Sequence, residues 1–288
     1  MSNDQTDLPT IELVSKLPKV GEKIKSNGSA CNYIEKIAIE YGVNYLINPK
    51  DESNLHQRSK ERLENDNNRQ QENLEKIFKL TSDNYKTIKT AKIDPDWLFH
   101  FISIAKNIRN HSMQHLWART LKQELTISNS VSLKTLDTLR NMTHKEAQIF
   151  HRASMLSCQI SNDSCKKLVT SLKIKPFLLP RLFSTKIKKL NLGYFQLPYS
   201  DVLILMDLGL LIKTELESGS LEPKVSFPFR YQQYTYNLTP IQKEVSFTYY
   251  RFSPVGEELA ELLGEKTNEP FRESILELIN TYFIVEAN

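Results

Sequence analysis

Residues 94–150 read DPDWLFHFISIAKNIRNHSMQHLWARTLKQELTISNSVSLKTLDTLRNMTHKEAQIF, and their periodicity restricts the fold more than any other stretch. Asp94 is placed to cap a helix with Pro95 at its first position, where a missing N–H costs nothing. Trp97, Leu98, Phe101, Ile102, Ala105 and Ile108 then form one broad apolar face. Asn110 can cap a second helix whose face is Met113, Leu116, Trp117 and Leu121, and Leu133, Leu136 and Leu139 line a third. Thr143 with Glu146 matches the S/T-x-x-E capping box, so a fourth helix should start near His144 and turn Ala147, Phe150 and Ala153 inward. A chain that repeats the 3.6-residue apolar period four times at short spacing must stack helices there. Both tryptophans should be buried in one core.

The remaining 231 residues are less uniform, as expected if 57 of the 288 carry that pattern. Residues 1–28 are polar with Pro9 and Pro18 and read as a lead-in. Ala30, Ile34, Ile37, Ala38 and Tyr41 recur at helical spacing, with Gly42 as the stop. Residues 52–76 are polar apart from Leu55, Leu63 and Leu74, and their five basic residues nearly cancel six acidic ones. Such a helix is solvated, a linker, or an arm that pairs through a thin seam. From Leu190 the period changes. Residues 199–208 form an apolar helix with Gly209 after it, Leu210 to Ile212 can enter a short strand, and 217–220 is turn chemistry. Residues 231–238 and 244–252 are rich in Tyr, Phe, Val and Thr, with Val245, Phe247 and Tyr249 alternating, as two antiparallel strands would be. Ser253-Pro254 starts another helix, ended by Gly264, and Phe271, Ile275, Leu278, Ile279 and Tyr282 make the last. The expected fold class is mainly α with a C-terminal α+β module: a helical central domain followed by a winged-helix-like helix–strand–hairpin–helix unit. Its expected divisions are 1–92 (N-terminal helices and polar arm), 93–163 (central helical domain), 164–200 (basic connecting segment) and 201–288 (winged-helix-like module).

Two sets of blocks carry a resemblance. DPDWLF at 94–99 is followed by MQHLWARTLKQEL at 113–125 and SLKTLDTLRNMT at 132–143. LNLGYFQLPYS at 190–200 is followed by TELESG at 214–219 and YYRFSPVGEEL at 249–259. In this order the chain resembles, over roughly residues 60–285, a family of proteins from marine gammaproteobacteria, vibrios among them, to which no activity is assigned. The resemblance implies a bacterial cytoplasmic setting and no cofactor or catalytic residue.

Composition agrees with an ordinary soluble chain. Three cysteines without a CxxC indicate neither a disulfide framework nor a zinc ribbon, and a reducing cytoplasm fits them. The start lacks the basic and apolar regions of a secretory signal, and no apolar run reaches membrane length. No G-x-S-x-G, Walker-type or G-x-G-x-x-G motif occurs, so no cofactor or catalytic site is expected.

Among candidate sites, His111 and His115 stand one helical turn apart, but no glutamate or third ligand accompanies them, and a surface pair is expected. His144, His151, Cys158 and Cys165 recur every seven residues. Seven residues of one helix rise about 10.5 Å, too far for neighbours to share a zinc, so no metal is expected and the cysteines read as fillers. Asp94 and Asp96 read as a cap and a favourable charge at a helix start rather than as nuclease carboxylates.

Charge is the strongest remaining signal. The formal charge of +4 is small, yet between Ser164 and Ser200 there is no acid, while Lys166, Lys167, Lys173, Lys175, Arg181, Lys186, Lys188 and Lys189 supply eight positive charges. Phe177, Phe183, Tyr194 and Phe195 are interleaved. Three readings follow: an irregular segment pinned across the core, a nucleic-acid contact, or a surface for an acidic protein partner. Residues 200–208, with two acids and no base, oppose groove reading. The expected function is therefore a cytoplasmic, non-enzymatic protein-interaction or regulatory protein, with nonspecific nucleic-acid binding through 164–200 as the alternative and an unfamiliar enzyme third.

Overall fold

A computed structural model describes residues 27–48, 54–83, 91–175 and 184–287. The lead-in, with Pro9 and Pro18, lies outside the described residues, as do Phe177, Arg181 and Phe183. The chain divides into two compact units, 1–68 and 69–288.

In the first unit, helix α1 (Asn27–Glu40) is followed by Gly42 at φ +65°, the left-handed conformation that glycine adopts without a Cβ penalty. Asn54 caps the start of α2 (Leu55–Asp83), and the Arg58 guanidinium sits 3.7 Å over the Tyr45 ring. Beyond residue 68 the same helix belongs to the second unit, where Asn73, Ile77 and Thr81 form a buried seam. Asn73 Nδ2 donates to the Lys106 carbonyl at 2.9 Å, and Thr81 Oγ1 lies 3.3 Å from the Ala118 carbonyl. Two of the three seam residues are polar, which is why leucine spacing alone does not show it.

The next helices follow their caps. They are α3 (Pro95–Ala105), α4 (His111–Thr126), α5 (Leu133–Asn141) and α6 (His144–Met155). Asp94 accepts from the Asp96 and Trp97 backbones, Asn110 from Met113, and Thr143 and Glu146 complete a reciprocal capping box. Trp97 stacks on Phe101, whose ring meets that of Trp117 at a tilt of 54°, with successive ring centroids 5.3 Å apart. Glu124, fully buried, accepts from the Asn129 and Val131 backbones at 2.6 and 3.0 Å and so sets the turn into α5.

After α6 the chain departs from expectation. Strands β1 (Cys158–Ile160), β2 (Asp163–Ile174) and β3 (Lys186–Lys189) precede α7 (Tyr199–Asp207). Then come β4 (Leu216–Glu217), β5 (Phe227–Tyr231), β6 (Tyr234–Pro240), β7 (Val245–Arg251), α8 (Pro254–Leu263), α9 (Glu269–Asn280) and β8 (Phe283–Ala287). The described residues place all eight strands in one antiparallel sheet of order β4-β7-β2-β1-β5-β6-β8, with β3 beside the far half of β2. The fold is α+β. A mainly helical chain ending in a winged-helix-like unit is therefore the wrong class. The two strands expected to pair with each other do not: β6 lies between β5 and β8, while β7 lies between β2 and β4.

Two physical features hid the sheet. In β2 the register against β7 slips between Val169 and Ser171, a bulge that moves the inward face by one residue and breaks the alternation. The sheet also coils. In a flat sheet β7 and β8, five strands apart, would be separated by about 24 Å. Instead the rings of Phe247 and Phe283 stack at 5.6 Å, with Phe229 stacked on Phe247 at 6.1 Å. Residues 221–224 lie across the gap, with Leu221 N–H donating to Val245 O and Lys224 N–H to Pro240 O.

Helix α8 joins sheet and bundle, packing on α4, α5 and α6. Its Glu258 accepts from Ser132 N–H at 2.7 Å and Thr135 Oγ1 at 2.6 Å. Tyr231, on β5, donates to the Met155 carbonyl and accepts from Asn268 N–H, both at 2.9 Å, which ties α6 to α9; burial pushes its phenol up to about 12.

Candidate functional site

The basic set is not one surface. Strand β2 carries Lys166, Lys167 and Lys173, with Lys175 one residue past its end. Lys186, Lys188 and Lys189 are on β3, and Arg181 lies outside the described residues.

At the start of β2 the charge of Lys167 is consumed internally. Lys167 is 2 % exposed, its ammonium 2.9 Å from Asp163 Oδ2 and donating to the Cys165 carbonyl at 2.8 Å. Partial burial pushes the Asp163 carboxyl up, but Lys167 and the Cys165 N–H outweigh it and hold the group at about 2. Lys166 is half-buried, and its backbone N–H donates to Glu257, whose carboxyl is pushed up, chiefly by burial. Arg251 donates to Cys165 Sγ at 2.8 Å.

Farther along β2 a carboxylate from β4 reaches over β7. Glu217 accepts from Lys173 and Lys175 at 3.2 and 3.0 Å and from Ser246 Oγ at 2.8 Å. These groups, Ser246 first, hold its carboxyl down at about 2. Beside them Ser171 Oγ and Thr248 Oγ1 meet at 2.5 Å. Lys173 and Lys175 are thus structural partners of one acid. Its folded-state value lies below the ordinary glutamate value of about 4.3. Its contribution is therefore fully present above that value and is lost as pH falls through about 2. Glu217→Gln should cost about 1 kcal/mol at neutral pH, a figure reduced by solvent screening at this partly exposed site. In denaturant titrations at several pH values, the gap to the native chain should close between about pH 4 and pH 2. A gap unchanged at pH 2 would mean that charge is not what Glu217 contributes.

Within the basic set, the exposed cations without an ion pair among the described residues lie on β3. Lys186, Ile187, Lys188 and Lys189 are all exposed, and the three lysines form no ion pair among the described residues. The strand pairs with β2 in the register Ser171↔Lys189, Leu172↔Lys188, Lys173↔Ile187, Ile174↔Lys186, and no described strand lies on its other side. Of the four aromatics interleaved in the basic segment, Tyr194 is open to solvent, whereas Phe195 packs edge-on against Phe271 at 5.2 Å. Helix α7 buries Val202, Leu205 and Met206, and its Asp201 pairs with Arg152 at 3.2 Å.

The other sequence candidates resolve locally. His111 and His115 share a face, their rings 4.6 Å apart, and burial followed by the His111 charge pushes His115 down. Among the described residues no group of three or more His, Cys, Asp or Glu is close enough to hold a metal ion. His144 and His151 are on α6, buried Cys158 on β1 and half-buried Cys165 on β2. Burial pushes the Cys158 thiol up. Asp94 is a cap. Sequence reasoning missed Glu217 and Asp163, which decide the fate of three of the eight cations. Glu217 lies 44 residues from Lys173, and no local pattern links them. Asp163 is only four residues from Lys167, but four-residue spacing signals contact in a helix, and these residues are on a strand.

No helix among the described residues is long and apolar enough to cross a membrane. Residues 57–276 match the model of a protein family described as "Protein of unknown function (DUF2806)". No curated protein and no solved structure matches the chain.

Proposed function

We propose that this chain, which belongs to the DUF2806 family, is a non-enzymatic protein-interaction protein of the bacterial cytoplasm that engages an acidic protein partner, in a regulatory role, through β3. The observation that carries this reading is the split of the basic set: Lys167, Lys173 and Lys175 are matched by Asp163 and Glu217, and Lys166 is half-buried, while the lysines of β3 stand exposed with no ion pair among the described residues. Exposed like charges on one short strand repel each other, and an acidic partner relieves that repulsion. Edge lysines also discourage accidental strand pairing. That role excludes neutral and basic strands and leaves acidic ones admissible.

Nucleic acid fits the surface less well. Three lysines neutralise at most three phosphates, a log–log salt slope of about 2 on single strands, and one exposed tyrosine is a thin stacking platform. The test is fluorescence anisotropy at about 150 mM salt, a physiological ionic strength, with an acidic peptide and a single-stranded oligonucleotide of equal charge. The native chain should prefer the peptide, and changing Lys186, Lys188 and Lys189 together to Ser should weaken it about tenfold or more. Peptide affinity equal in native and triple-Ser chains would overturn the reading. Tighter binding of the oligonucleotide, lost in the triple variant, would replace it with the nucleic-acid reading.

A further inference from the structure

The backbone of β3 decides how an acidic partner would lie against it. Leu190 N–H donates to the Thr170 carbonyl at 2.7 Å. In an antiparallel ladder opposite residues alternate between exchanging hydrogen bonds and not exchanging them. Continuing the β2–β3 register from Thr170/Leu190, the bonded pairs are Leu172/Lys188 and Ile174/Lys186. Lys186 and Lys188 therefore turn their N–H and C=O groups toward β2. Ile187 and Lys189 turn theirs to the open side, where no described strand lies.

We infer that the partner binds as an added antiparallel strand, exchanging backbone hydrogen bonds with Ile187 and Lys189. This inference rests on the charge reading above. Main-chain pairing of this kind supplies affinity, and alternate side chains supply specificity. Side chains of β3 alternate, Lys186 and Lys188 on one face, Ile187 and Lys189 on the other. Ile187 is 49 % exposed, an apolar contact waiting beside the lysines. An incoming strand read from its N-terminus meets Lys189, Lys188, Ile187 and Lys186 in turn. The matching order is acid, acid, apolar, acid, so the partner is an extended segment of the type Glu-Glu-Val-Glu.

The experiment uses the full chain and three fluorescent peptides with that core between Gly-Ser flanks. One is unmodified, one is N-methylated at the Val, and one at the second Glu. All have the same charge. In the inferred register the Val N–H donates to Ile187, whereas the second Glu N–H points away from β3. Methylation at Val should weaken binding about tenfold or more, the loss of a hydrogen bond whose partner stays in place, while methylation at the second Glu should leave it nearly unchanged. Ile187→Pro supplies the protein-side counterpart. It deletes an outward N–H and leaves the β2–β3 hydrogen bonds intact, so binding of the unmodified peptide should fall comparably with an unchanged far-UV spectrum. Equal affinity for the two methylated peptides would overturn strand addition. If the triple-Ser chain still loses the unmodified peptide, the charge reading survives that failure. If the unmodified peptide does not bind the native chain at all, both fall.

Discussion

Trp117→Ala should lower the unfolding free energy by about 3–5 kcal/mol, the cost of removing a large aromatic from a close-packed core. The side chain is fully buried on α4, its ring 5.3 Å from Phe101, which stacks in turn on Trp97. Leu121, one turn along the helix, and Leu136 and Leu139 of α5 are buried in the same cluster. Backbones on several sides hold these residues, so the cavity cannot close, and the loss includes dispersion contacts as well as transfer. Trp117→Phe separates the contributions. It keeps an aromatic ring and deletes an indole N–H that has no acceptor in the structure, so it should cost clearly less than alanine. The measurement is a urea titration of each variant. An unchanged midpoint for Trp117→Ala would show that the helices do not share this core.

The second large effect is expected at Gly256, inside the first turns of α8. A Cβ there would stand 2.2 Å from the carbonyl oxygen of Leu210 and 3.2 Å from its carbon. That carbonyl cannot swing aside freely, because it accepts from Ser253 N–H at 2.9 Å. Ser253 Oγ donates to the Gly209 carbonyl at 2.6 Å and accepts from Gly256 N–H at 3.0 Å, locking the helix start against the same loop. Alanine would gain about 1 kcal/mol of helix propensity over glycine. Relieving the clash requires α8 to retreat by about 1 Å, and overpacking of this kind costs about 1–3 kcal/mol, sometimes more. Retreat would also strain the Glu258 bonds to Ser132 and Thr135. Gly256→Ala should therefore be net destabilising in the same urea titration. A variant as stable as the native chain would mean that α8 does not approach the loop this closely.

These two positions also mark how far the sequence could be read. Trp117 was legible because helix periodicity, caps and aromatic spacing are all set within a few residues. The same locality made Asp94, Asn110, Thr143 with Glu146, and Ser253-Pro254 readable as helix starts. Gly256 was not, since its need for a bare Cα comes from a carbonyl 46 residues upstream. The sheet failed for a related reason. Tyr, Phe and Val in residues 231–252 correctly suggested strands, but strand character is local and pairing is not. Nothing within β6 or β7 says that one joins β8 and the other β2. In β2 the bulge at Thr170 erases the alternation that announces a strand.

The basic segment shows the same division at the level of function. Its count of positive charges, the absence of acids between Ser164 and Ser200, and its distinction from the helical block before it belong to the sequence alone. Which charges remain available was decided by tertiary structure. Chain crossings bring Glu217 to Lys173 and Lys175, strand geometry presses Lys167 against Asp163, and β3 is left at the sheet's edge. Caps and apolar periods are written by neighbours along the chain, within reach of one or two helical turns. Strand partners and neutralised charges depend on groups brought together by folding, and their identities appear only when the sheet closes around its phenylalanines.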